Sequence, residues 1–122
     1  MMATILLCDD DVYILRAAEL KVRAAGFRVL TAYDGEEAWE LLQTETVSAL
    51  VTDRQMPRVD GVELIRRVRE SEQLSKLPIV LLTSRAHDLP EVVDADLIMD
   101  KPFSPRNLAA QLTSMVETQP IG

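Results

Sequence analysis

Four short apolar runs in this chain end in residues that could hold a divalent cation and a phosphoryl group. The residues that follow the runs are carboxylates, hydroxyls and one lysine. The runs and the residues after them are 5–8 with Asp9-Asp10-Asp11, 49–52 with Asp53, 79–82 with Thr83-Ser84, and 97–99 with Asp100-Lys101-Pro102. If the runs are parallel strands of one sheet, these groups converge at a single edge. Ligands of open α/β sheets bind at that edge.

The elements that would position these groups alternate along the chain. Runs rich in Val, Ile and Leu are typical of strands buried on both faces, and amphipathic stretches between them have helical spacing. This alternation predicts an α/β fold, a doubly wound parallel sheet with helices on both faces. The predicted strands lie near 4–8, 27–32, 49–53, 78–82 and 96–99, and the predicted helices at 12–25, 35–43, 61–72 and 105–118. Residues 84–95 carry few helical features, and we expect only a single turn near Pro90–Val93.

Composition limits the class of protein. A chain of 122 residues with 48% hydrophobic and only 4% aromatic residues predicts one domain with an aliphatic core. A formal net charge of −7 argues against non-specific nucleic-acid binding. No apolar stretch is long enough to span a membrane, and no secretory signal is visible. The single cysteine, Cys8, is expected to be buried and inert, which fits a cytoplasmic protein.

Two further groups of side chains are expected to be structural. Arg66, Arg67 and Arg69 have the spacing of the solvated side of a helix. Trp39 is expected to pack on the second helix, and the lone His87 is not expected to donate a phosphoryl group.

The order of the motifs resembles that of the response-regulator receiver domain, the CheY-like module of two-component signalling. The resemblance covers essentially the whole chain, so residues 1–122 are expected to be one receiver domain, with 118–122 as a disordered tail. The matching pieces are Asp9-Asp10, Asp53 within Val-Thr-Asp-Arg-Gln-Met-Pro, Asp60-Gly61, Thr83 and Lys101-Pro102-Phe103. The resemblance implies a five-stranded sheet in the order 2-1-3-4-5.

The resemblance also assigns roles to these residues. Asp53 would accept a phosphoryl group, which Lys101 and Thr83 would contact through its oxygens. Magnesium, for which Mn²⁺ could substitute, would be held by Asp10 and Asp53 directly, by Asp9 through water and by the Gln55 backbone carbonyl. The Lys101–Pro102 bond would be cis. The donor would be a histidine kinase or a histidine phosphotransfer protein, and the module would be a monomer or weak dimer without turnover activity.

Three features depart from the family pattern. The interval from Thr83 to Lys101 is about one helical turn shorter than usual, so the helix expected there is short or degenerate. Asp94-Ala95-Asp96 lacks the usual glycine. Ile98 occupies the position of a switching Tyr or Phe, so the usual coupling of threonine and aromatic residue cannot operate. Gln55 and Arg85 match positions that tune the lifetime of the acyl phosphate.

Alternatives to a phosphorylation-controlled receiver remain open from the sequence. Ile98 and the short interval favour a phosphorylation-independent interaction module on the same scaffold. A haloacid-dehalogenase-like phosphatase would share the aspartate nucleophile and the metal, but the spacing of Asp9, Asp11 and Val12 matches its motif only loosely. A stand-alone receiver, a phosphorelay intermediate and a domain of a larger protein would have the same sequence here.

Overall fold

The computed structural model describes residues 2–84, 89 and 93–117. Within them, the strands and helices follow one another in the predicted order. The elements are β1 (Thr4–Cys8), α1 (Val12–Ala24), β2 (Arg28–Ala32), α2 (Gly35–Thr44), β3 (Ala49–Asp53), α3 (Gly61–Glu70), β4 (Ile79–Thr83), β5 (Leu97–Asp100) and α4 (Pro105–Glu117). The predicted bounds are correct to within two residues.

The five strands form one parallel sheet in the order β2-β1-β3-β4-β5. This order confirms the predicted topology. The reversal of strand order lies between β1 and β3, where Cys8 pairs with Thr52. The carboxyl ends of these two strands therefore lie side by side, which brings Asp9 and Asp10 next to Asp53.

Alternate side chains of the strands enter two separate cores. Ile5 and Leu7 point to the face covered by α1 and α4, while Leu6 and Cys8 point to the face covered by α2 and α3. The helices supply matching stripes, which include the fully buried Leu108 and Leu112 on α4 and Leu64 on α3. Cys8 is 1% exposed, and burial raises the pKa of its thiol to about 12. The prediction that Cys8 is buried is confirmed.

Helix starts are fixed by side chains that accept backbone N–H groups. Asp34 accepts from the Glu37 amide at 2.8 Å, and Ser104 accepts from the Asn107 amide at 3.1 Å. Each cap satisfies a donor that has no partner within its helix.

Residues 85–88, 90–92 and 118–122 lie outside the described part of the chain. The predictions for Arg85, His87, the single turn near Pro90–Val93, the short helix and the tail fall wholly or partly on them and stay predictions. Among the residues that are described, no helix combines the length and the apolar character needed to cross a bilayer.

The prediction that Arg69 is solvated is wrong. Its side chain is 15% exposed and donates to the carbonyl oxygens of Asp94, Ser75 and Leu77 at 2.7–3.0 Å. It also pairs at 2.9 Å with the carboxylate of Asp96, which accepts the Ile79 amide at 2.7 Å. Arg69 thus ties the end of α3 to the segments that enter β4 and β5.

The other two arginines of this helix do lie on its outer side. Arg66 is exposed and bridges Glu63 and Glu70 on the same helix. Arg67 pairs with Glu36 at 3.4 Å and lies 6.0 Å from the centre of the Trp39 ring. Trp39 packs against the α2–α3 core, as predicted.

Replacing Arg69 with Met should lower the free energy of unfolding by about 2–4 kcal/mol, because carbonyls and a carboxylate lose a shared donor. Urea denaturation measures this change. Arg66→Met on the same helix is the matched control and should change stability much less, since both partners of Arg66 are exposed. Equal effects of the two substitutions would contradict the assignment.

Candidate metal and phosphoryl site

A cleft of about 300 Å³ opens at the carboxyl edge of the sheet, where the sequence placed the chemistry. The ends of β1, β3, β4 and β5 all contribute to it. Its lining residues are Asp10, Asp11, Asp53, Arg54, Gln55, Thr83, Ser84 and Lys101. Gln55 is therefore at the site, as predicted.

Three carboxylates converge at this edge. One oxygen from each of Asp9, Asp10 and Asp53 lies within 4.8 Å of the other two. Asp9 and Asp53 are buried, at 2% and 7% exposure, whereas Asp10 is exposed to the cleft. Close carboxylates repel one another unless a cation or a proton joins them. Oxygen ligands of this kind fit a hard divalent cation such as Mg²⁺.

Lys101 brings a positive charge into contact with two of these carboxylates. Its ammonium lies 2.9 Å from an Asp9 oxygen and 3.0 Å from an Asp53 oxygen. Burial disfavours the charged amine, but the hydrogen bonds to Asp9 and Asp53 outweigh it and raise the Lys101 pKa. When all four groups are ionised, three carboxylates and one ammonium leave two negative charges, which a divalent cation balances.

The surroundings of Asp53 disfavour its negative charge. Burial raises its pKa, repulsion by Asp9 raises it further, and the contacts with Lys101 only partly offset both effects. The backbone holds the residue in place, since the amide of Arg54 donates to the Leu82 carbonyl at 3.0 Å. Asp53 is therefore a fixed carboxylate whose negative charge is disfavoured until a further cation approaches.

Thr83 and Lys101 are joined through the backbone. The Lys101 amide donates to the Thr83 carbonyl at 3.0 Å, and Thr83 is 2% exposed. The Lys101–Pro102 peptide bond is cis, as predicted. A hydroxyl and an ammonium from neighbouring strands are thus presented to one cleft.

Gly61 controls how closely α3 approaches the acceptor strand. Its amide donates to the Arg54 carbonyl at 2.7 Å, and a Cβ on Gly61 would lie 2.2 Å from the Asp53 carbonyl oxygen. Only glycine leaves room for this approach. Gly61 therefore helps to set the position of the backbone that carries Asp53.

Some residues around the site have roles that the sequence analysis did not assign. Asp11 begins α1 and accepts the amides of Tyr13 and Ile14, at 2.9 and 3.3 Å. Asp60 begins α3 and accepts the amide of Glu63 at 2.9 Å. An acidic residue directly before an apolar helical stripe was the available signal for both caps.

Ile98 lies away from the cleft. It is 40% exposed on β5, where it pairs in register with Leu81. The described residues thus place an aliphatic side chain on the outer surface at the expected switch position.

The sequence and the fold of the chain are similar to those of known proteins. Residues 5–113 match the model of the response regulator receiver domain. The chain is 38% identical over 119 residues to the transcriptional regulatory protein AfsQ1 of Streptomyces coelicolor, covering 94% of this chain and 52% of that protein. It is 31% identical over 120 residues to the response regulator GtcR of Aneurinibacillus migulanus, covering 95% of this chain and 48% of the relative.

Solved structures agree. The chemotaxis response regulator CheY4 of Vibrio cholerae superposes with a TM-score of 0.85 at 31% identity, covering 94% of this chain and 99% of that one. The chain belongs to the response regulator receiver domain family, whose members act in two-component signalling. It spans about half the length of the curated relatives it matches.

Replacing Gly61 with Ala should cost about 1–3 kcal/mol of folding stability, because the new methyl group overlaps the Asp53 carbonyl. It should also weaken divalent-cation binding by displacing Asp53. Gly26→Ala is the control: Gly26 has a φ of +100° but open space around it, so its substitution strains the backbone far from the cleft. Urea denaturation and metal titration measure both effects. Unchanged metal binding in Gly61→Ala would contradict a positional role.

Replacing Asp53 with Asn should stabilise the metal-free protein at neutral pH. Because the Asp53 pKa is raised by folding, its contribution favours the fold below the ordinary value of 3.8 and is lost as pH rises through the folded pKa. Asparagine keeps the shape without the charge. Thermal unfolding in chelator should show a higher midpoint for Asp53→Asn at pH 7 and a smaller difference near pH 4. A lower midpoint at pH 7 would contradict this reasoning.

Proposed function

We propose that the chain is a phosphoryl-accepting receiver in which Asp53 is modified by a phosphohistidine partner in a magnesium-dependent step. The observation that carries the proposal is the convergence of a buried Asp53 carboxylate, the Lys101 ammonium and two further carboxylates in one cleft. A histidine kinase or a histidine phosphotransfer protein is the donor. The module acts in the cytosol as a monomer or weak dimer.

Asp9, Asp10, Asp53 and the Gln55 carbonyl are the proposed metal ligands. Magnesium, when bound, supplies positive charge that stabilises the phosphoryl oxygens in the transition state. The carboxylate cluster supports this assignment through its donor type and spacing. Asp10, being exposed, lies where a cation enters from solvent.

The reaction forms one bond and breaks one. A carboxylate oxygen of Asp53 attacks phosphorus, and the bond from phosphorus to the donor imidazole nitrogen breaks. The bonding pair leaves with the imidazole. Lys101 shifts from the Asp53 carboxylate to a phosphoryl oxygen, a short movement because the ammonium is already 3.0 Å from Asp53. The Thr83 hydroxyl donates to another phosphoryl oxygen.

Release of the phosphoryl group depends on water that reaches the acyl phosphate. Gln55 on the rim of the cleft is exposed and is proposed to tune this access together with Arg85.

Phosphorylation shifts a two-state equilibrium only as far as the two states differ in their contacts with the new group. The displacement of Lys101 and Thr83 toward the phosphoryl group supplies that difference. Any conformational response to phosphorylation at the switch position is then made by the aliphatic side chain of Ile98, without an aromatic ring. The chain carries out no catalytic turnover in this proposal.

A second candidate function is docking that does not depend on phosphorylation. The exposed aliphatic side chain of Ile98, where a switching ring would be expected, favours it. Target binding that is the same for wild type and Asp53→Asn, with and without phosphodonor, would select this function.

Intact mass spectrometry after incubation with acetyl phosphate or phosphoramidate tests the leading proposal. Wild-type protein should gain a single phosphoryl adduct with magnesium and none with excess chelator. Asp53→Asn should gain none.

Asp60→Asn is the matched control, because Asn retains the cap of α3 and the residue lies outside the acidic cluster. It should be labelled like wild type. Absence of an adduct in wild type, together with no binding of beryllofluoride, would refute the acceptor role. Continuous release of phosphate from a simple ester would favour a phosphatase instead.

A further inference from the structure

We infer that Arg58 and Asp34 form an ionic clamp that positions the loop between β3 and α3, and with it the Gln55 carbonyl, at the metal site. The inference rests on the proposed metal site. It assigns a positioning role to two residues that do not line the cleft.

Direct contacts join the loop to the start of α2. The Arg58 guanidinium lies 3.4 Å from both carboxylate oxygens of Asp34. One residue further along each segment, the Gly35 amide donates to the Val59 carbonyl at 3.1 Å. A Cβ on Gly35 would lie 2.1 Å from that carbonyl oxygen, so the approach is as close as the backbone permits.

The backbone at Arg58 requires such support. Its φ of +68° lies in the left-handed region, which a side chain other than Gly, Asn or Asp rarely adopts. An extended backbone conformation at Arg58 would relieve this strain and would move the loop from its present position. The ion pair and the Gly35–Val59 hydrogen bond hold the disfavoured conformation.

Asp34 is a firm anchor for the clamp. One of its carboxylate oxygens accepts the Glu37 amide at 2.8 Å, and its backbone carbonyl accepts the Cys8 thiol at 3.3 Å. Its side chain is 18% exposed, compared with 62% for Arg58. Asp34 is therefore fixed to α2 and to the end of β1, and Arg58 is the movable partner.

The clamp connects two segments that carry proposed metal ligands. Cys8 directly precedes Asp9 and Asp10, and Arg58 follows Gln55 by three residues. The Cys8 thiol also approaches the Met56 sulfur at 3.2 Å, beneath the same loop. Contacts from the start of α2 therefore fix the position of the end of β1 relative to the loop between β3 and α3. The start of α2 itself supplies no proposed metal ligand.

Magnesium affinity in a double-mutant cycle tests the clamp. The variants are Arg58→Met, Asp34→Asn and the double substitution, because Met keeps the strained positive φ without the charge and Asn caps helices well. Isothermal titration calorimetry of the whole chain gives the dissociation constants. Each single variant should bind magnesium about two- to fivefold more weakly, as expected for a partly exposed pair. The double variant should be no weaker than the worse single variant. Arg58→Lys should lie within about twofold of wild type.

The direction of the affinity change in Arg58→Met separates a positioning role from a direct electrostatic effect of the lost charge. Loss of a positive charge near a cation site should tighten magnesium binding, and loss of a negative charge should weaken it. The clamp instead predicts weaker binding in both single variants. Tighter binding in Arg58→Met, or additive effects in the double variant, would overturn the clamp.

Two controls complete the design. Glu19→Gln removes an exposed ion pair with Arg23 on α1 and should leave magnesium affinity unchanged. Thermal unfolding in chelator identifies any variant that fails to fold, and a lower midpoint with unchanged affinity would show a role in stability alone. Wild-type protein that binds no magnesium would refute the proposed metal site and the clamp together. Wild-type binding with unchanged variants would refute the clamp alone.

Discussion

Repulsion among carboxylates at one edge of the sheet is the constraint on which the rest of this structure depends. Asp9 and Asp53 are buried side by side, and the ammonium of Lys101 contacts both. The arrangement costs stability, as the raised pKa of Asp53 indicates. The remainder of the fold supplies the stability that this edge of the sheet lacks. Two aliphatic cores, helix caps and the Arg69 contacts stabilise strands whose ends would otherwise separate.

The position of the site could be predicted because it follows from periodicity alone. Apolar runs of strand length that end in carboxylates place those groups at one edge once the strands are parallel. The two separate cores follow from the same alternation of side chains. Asp53, Lys101 and Thr83 therefore meet where the sequence indicated, and the cap at Asp34 was visible from its residue type.

Other features depend on contacts that no local pattern contains. Helical spacing assigned Arg69 to the solvated side of α3, and that prediction is wrong because the side chain is only 15% exposed. The spacing could not show that the chain entering β4 and β5 returns to cover this side chain. Likewise, nothing in the sequence marks Arg58 as left-handed, because Gly or Asn is the usual signal. The structural role of each arginine depends on contacts with residues that are distant along the chain.

Among the described residues, the sheet separates two cores that share no buried side chain: α1 and α4 cover one, and α2 and α3 cover the other. Substitutions on opposite faces of the sheet therefore affect different sets of contacts, and their effects on the free energy of unfolding should largely add. This separation has an evolutionary consequence. The surface of α1 and α4 can diverge toward new recognition properties while the α2 and α3 side is preserved. Only the strands, and the acidic edge where they end, must remain compatible with both.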